Sequence, residues 1–112
     1  MPYLSFNQNN NTFDVINNKE FTGFTLFATS LYDKDCQREI PTLKVANSVW
    51  WIPFYDDFNK MDVEVVIQQF LKDFEIVVNE DERSHLITTL FNDLVIQQKY
   101  HSESTEKFRL NL

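Results

Sequence analysis

The spacing of hydrophobic and polar residues changes character near residue 56. Before that point, short runs alternate or concentrate β-branched and aromatic side chains: Tyr3 to Phe6, Thr12 to Ile16, Phe21 to Tyr32, Thr42 to Val45 and Ser48 to Phe54. Such runs suit a pleated, half-buried surface and predict strands. The first two are separated by Asn9-Asn10-Asn11, and Asn tolerates the left-handed backbone of a turn, so they predict a hairpin. Gly23 is the candidate bulge within the third run. The polar stretch Asp33 to Glu39 reads as a loop. Pro41 and Pro53 lack the N–H of a sheet ladder and are expected at strand ends or on an edge.

Beyond Tyr55 the period becomes helical. Asn59 with Asp62 three residues on forms a capping pattern, and Val63, Val66, Ile67, Phe70, Phe74 and Val77 follow at three- and four-residue spacing. Asn79 with Glu82 repeats the pattern ahead of Leu86, Ile87, Leu90, Phe91, Leu94 and Val95. Two amphipathic helices joined near residues 78–80 make a helical hairpin. His101 to Glu106 is polar, and Phe108 to Leu112 alternates like a closing strand. The predicted fold is α+β: an antiparallel sheet packed on one face by the hairpin, with a C-terminal strand returning to the sheet. It forms one domain over residues 1–112, with a β-rich half (1–56), the helical hairpin (57–100) and the terminal strand (107–112). The chain is too short for two cores.

Composition supports a folded chain. Of 112 residues, 43% are hydrophobic and eleven are Phe, more than an acidic disordered segment would carry. A single Gly and three Pro leave no glycine-rich loop to cradle a phosphate. The lone Cys36 has no internal disulfide partner, and the first residues lack the basic and apolar regions of a signal peptide, so a reducing cytoplasm is the expected location. No apolar run approaches the roughly 20 residues of a membrane span, and an acidic surface would be repelled by anionic lipid.

Charge changes the picture most. Residues 56–93 hold ten acids against three bases, the remainder balances at seven against seven, and the whole formal charge of −7 belongs to the helical stretch. An acidic face backed by an apolar one attracts cationic partners and repels nucleic acid. Direct nucleic-acid binding is disfavoured further because the basic residues are scattered, and Asp56 and Asp57 follow the aromatic run Trp50, Trp51, Phe54 and Tyr55.

Catalytic and metal motifs are weak. Cys36, His85 and His101 are the residues resembling a nucleophile and base, but their spacing does not place a base beside the thiol, and Asp33, Asp35 and Glu39 oppose a thiolate nucleophile. They read better as a loop cysteine and two surface histidines. Asp56 and Asp57 with Asp62 form the densest carboxylate group before a helix, yet they lack the alternating oxygens, central Gly and terminal Glu of a calcium loop. Carboxylates before a helix favour its positive end without any ligand, which also accounts for Glu80, Asp81 and Glu82. No enzyme, cofactor or metal is therefore expected.

Two apolar residues sit against the pattern. Val65 and Ile76, on a first helix running through Val77, lie on the side away from the apolar stripe, near Asp62, Lys72 and Asp73. Together with whichever of Trp50 and Trp51 faces outward, they form a candidate docking spot. Ile96 is similarly placed among His85, Thr89 and Asn92, and such patches would also pair two copies as a homodimer. The expected function is a small acidic cytoplasmic protein that covers a basic protein partner. Immunity proteins and anti-defence inhibitors of nucleases or other nucleic-acid-handling enzymes are of this kind. Asp56, Asp57, Asp62, Asp73 and Glu75 would take the positions of phosphates, and Val65, Ile76, Trp50 and Trp51 would be the anchors. The alternative is a non-enzymatic adaptor or assembly subunit of a larger complex.

Overall fold

The computed structural model describes residues 3–18, 21–46, 51–55 and 57–110, with side chains described outside 17–24 and 100–110. Five strands precede two helices: β1 Tyr3–Asn7, β2 Thr12–Asn18, β3 Phe21–Asp33, β4 Arg38–Val45, β5 Trp51–Pro53, α1 Lys60–Asp73 and α2 Glu80–Leu110. The strands form one antiparallel sheet in chain order, β1-β2-β3-β4-β5. The α+β class is as expected, with the helical hairpin on the sheet.

The two described hairpin turns use the same device. Each joins its strands by four residues, Gln8–Asn11 between Asn7 and Thr12 and Lys34–Gln37 between Asp33 and Arg38. The side chain closing the first strand accepts from the amide two residues on: Asn9 N to Asn7 Oδ1 at 3.1 Å and Asp35 N to Asp33 Oδ1 at 2.8 Å. The last loop residue turns left-handed, at φ 56° for Asn11 and 55° for Gln37. Asn tolerates that region more readily than Gln, so only the first turn was legible from residue type. Between β2 and β3 the register slips so that Gly23 and Asn17 fall between paired positions, the irregularity expected at the glycine.

Pro41 departs from expectation by lying inside β4, opposite Ser30 of β3. It is tolerated because β5 pairs only from Thr42 to Lys44, so its ring faces the place where that neighbour ends. The Pro41 carbonyl still accepts from Phe54 N at 2.8 Å.

Alternation assigns the two faces of the sheet. Phe13, Leu26 and Val45 align across β2, β3 and β4, as do Ala28, Leu43 and Ile52 across β3, β4 and β5. These rows pack against Val63, Ile67 and Phe70 of α1 and Leu86, Leu90 and Leu94 of α2. The opposite face carries Phe27, Lys44 and Trp51 in one row. Thr42 on that face is buried and donates its hydroxyl to the Ile40 carbonyl at 2.9 Å, so no polar atom is stranded.

Both helices begin as the sequence predicts. Asn59 Oδ1 accepts from Asp62 N at 3.1 Å while Asp62 Oδ2 accepts from Asn59 N at 2.7 Å. Asn79 and Glu82 exchange the same pair of bonds at 2.8 and 3.1 Å. Their ends differ from expectation. α1 stops at Asp73 rather than continuing through Val77. α2 continues through the polar residues 101–106 to 110, so the closing strand expected from 107 is replaced by helix, while 111–112 lie outside the described residues. A five-residue alternation is too short to distinguish a strand from the tail of a helix.

Candidate protein-binding surface

The end of α1 determines what the acidic surface looks like. Phe74 caps the helix, Glu75 turns left-handed at φ 54°, and two bonds close the end: Glu75 N to Lys72 O at 3.2 Å and Ile76 N to Leu71 O at 2.9 Å. This paired arrangement satisfies carbonyls that the helix leaves open, and it brings Ile76 over Leu71, both buried in the core. The left-handed residue also reverses the helical phase. Ile76, expected outside, is only 6% exposed, and Val77, expected in the core stripe, is 63% exposed. Ile76 is thus removed as a surface anchor and Val77 takes that place. Nothing in the sequence signalled the reversal, because the left-handed position carries Glu rather than Gly.

Around Val77 the chain exposes Asp73 and Glu75 before it and Glu80, Asp81 and Glu82 after it. Several of these carboxylates have local duties. Asp73 Oδ1 accepts from Gln69 Nε2 at 2.7 Å, and Glu82 completes the α2 cap. Arg83 bridges Glu80 at 2.6 Å and Glu64 at 3.4 Å, which ties the first turn of α2 to the second turn of α1. Glu80 is the main cause holding the Arg83 guanidinium above its ordinary pKa. Residues 72–83 still hold five acids against Lys72 and Arg83, although Lys60 lines the same hollow as Glu64, Glu80 and Arg83.

The other expected site residues are dispersed. Asp57 is exposed, with a left-handed backbone at φ 65°, and Asp62 is exposed but occupied as half of the α1 cap. Both lie at the opposite end of α1 from Asp73 and Glu75, a helix about 21 Å long at 1.5 Å per residue. Val65 is 65% exposed, as expected, and Met61 one turn before it is 72% exposed. Trp51 is 37% exposed on the sheet face away from the helices, with Lys44 Nζ 4.3 Å from its ring centroid. The sheet therefore separates Trp51 from the carboxylates of α1. Trp50 and Asp56 lie outside the described residues.

Two carboxylates show how local and tertiary surroundings set ionisation. The Asp33 carboxylate is held below its ordinary pKa by the Cys36 amide first, then by the Tyr55 hydroxyl, which donates at 3.0 Å. The same bond and charge raise the Tyr55 hydroxyl above its usual value. Asp93 is raised by burial, partly offset by the Asn11 side-chain amide, which donates to both carboxylate oxygens at 2.7 and 2.8 Å.

Cys36 is exposed in the β3–β4 turn, whereas the His85 ring rests on Phe6 and Phe13 over β1 and β2. The structure does not join them as nucleophile and base, and the His101 side chain lies outside the described residues. No three His, Cys, Asp or Glu side chains gather as metal ligands among the described residues. No helix there is long and apolar enough to cross a membrane. No family model, curated protein or solved structure matches this chain.

Proposed function

We propose that this protein is a small acidic binding protein that covers a basic surface of a protein partner without catalysing a reaction. The observation that carries the reading is the corner between α1 and α2, where exposed Val77 is flanked along the chain by exposed Asp73, Glu75, Glu80, Asp81 and Glu82. An apolar side chain within a field of one sign combines a contact that slows dissociation with charge that speeds capture. A partner with a cationic substrate groove fits this chemistry. Occlusion of a nuclease or another nucleic-acid-handling enzyme, as by an immunity protein or anti-defence inhibitor, is its most concrete form.

The experiment is capture of partners from cells of the source organism at low salt, with the wild type and an Asp73→Lys, Glu75→Lys, Asp81→Lys variant in parallel. A basic protein retained by the wild type, released by salt and lost by the variant supports the proposal. A partner retained equally by both, at any salt, removes the corner from binding. Met61 and Val65, exposed one turn apart on α1, favour a second reading as an adaptor held by apolar contact. In that case Val65→Lys, rather than the corner variant, would abolish capture.

A further inference from the structure

The two edges of the sheet are built differently. β5 ends the sheet with three residues, one of them Pro53, which has no N–H to offer. Shortness and proline are both devices that keep an edge from pairing with another chain. β1, at the other edge, has neither: its five residues Tyr3-Leu4-Ser5-Phe6-Asn7 contain no proline and no charge, and its pairing with β2 runs without a bulge. Alternate backbone N–H and C=O groups along β1 therefore point away from β2 with no strand among the described residues to receive them. The closing strand that the sequence suggested does not fill the position, because α2 remains helical through Leu110.

We propose that β1 pairs antiparallel with β1 of a second copy about a two-fold axis at Ser5, joining two five-stranded sheets into one. A five-residue strand pairs with itself in this way without any change of register. Ser5 then faces Ser5 of the second copy, Leu4 faces its Phe6, and Tyr3 faces its Asn7. Leu4 and Phe6 lie on the face that carries the core, where each is half-buried in one chain, and the pairing covers what remains. His85, stacked edge-on at 4.7 Å against Phe6, fixes that ring in place before association.

Charge favours a second copy at this edge over other surfaces. Each chain carries −7, so self-association through the α1–α2 corner would place like charges together. β1 brings none, and at physiological salt, with a screening length of about 8 Å, charges elsewhere act weakly across it.

Sedimentation of the full chain from about 1 to about 100 µM tests the pairing, because a dimer populates with concentration. Three proteins are compared: wild type, Ser5→Lys and Val65→Lys. Ser5 is exposed and stands opposite Asp14 of β2, so a lysine there is tolerated within one chain and would set two positive charges face to face across the axis. The expected result is a wild-type dimer, an unchanged Val65→Lys dimer, and a dissociation constant raised at least about tenfold by Ser5→Lys with the same thermal melt at low concentration. A wild type that stays monomeric throughout overturns the proposal. So does a Ser5→Lys dimer as tight as the wild type, and dissociation by Val65→Lys alone would assign the interface to α1.

Discussion

The two ends of α1 are governed by different physics. Its start is set by residues three apart in sequence, Asn59 and Asp62, whose reciprocal bonds need nothing from the rest of the molecule. Its end is set by where Ile76 goes. Burying that side chain on Leu71 requires Glu75 to turn left-handed, a conformation costing a non-glycine residue about 1 kcal/mol or more. The core offsets this cost. A helix start can therefore be read from a few residues, whereas this helix stop depends on the surface it meets.

The sharpest way to break the comparison is to exchange roles at the stop. Ile76→Ala should cost about 2–4 kcal/mol by deleting buried carbon, while Val77→Ala should change stability by less than about 0.5 kcal/mol. Denaturant titration of both variants checks this, and the reverse order, a large loss for Val77→Ala and a small one for Ile76→Ala, would mean that the helix continues through these residues. At the starts, Asn59→Ala and Asn79→Ala should each cost about 1 kcal/mol in the same titration, a local effect independent of the sheet. Glu75→Gly should stabilise by about 0.5 kcal/mol, since glycine accepts the left-handed position but loses more chain entropy on folding. A loss instead would mean that Glu75 contributes a contact that outweighs its strain.

The smallest effects lie in the two shifted carboxylates, and they should have opposite signs. Asp33 has a lowered folded pKa, so its contribution to stability is present above the ordinary value of 3.8 and is lost as pH falls below it. Its causes are mainly local, in its own turn. Asp93 has a raised folded pKa, so its contribution is present below 3.8 and is lost as pH rises through the folded value. Burial by tertiary packing is its main cause. Melting temperatures measured from pH 3 to 6, where carboxylates titrate, should fall less on acidification for Asp33→Asn than for wild type. The Asp93→Asn protein should gain relative to wild type as pH rises over the same range.

Much of the scaffold was legible because its signals are short-range. Alternation and the concentration of β-branched and aromatic side chains located all five strands, the asparagines located the first turn, Gly23 located the slip between β2 and β3, and the two Asn caps located the starts of both helices. The acidic segment was equally plain, but its division between local duties and free surface was not. Asp62 and Glu82 complete caps, Glu64 and Glu80 hold Arg83, and Asp93 ties α2 to Asn11 of the first turn.

Sequence by itself determined the α+β class, the order of the five strands and the two helix starts, and the concentration of negative charge on the helical half, because residue period, caps and charge act over a few positions. Tertiary structure decided that Ile76 goes in and Val77 out, that Trp51 lies across the sheet from the carboxylates, and that α2 runs on as helix through Leu110. These choices compare the burial of one side chain or segment with that of another. The free energy of burial depends on the surface waiting to receive it, and that surface exists only once the sheet and helices have come together.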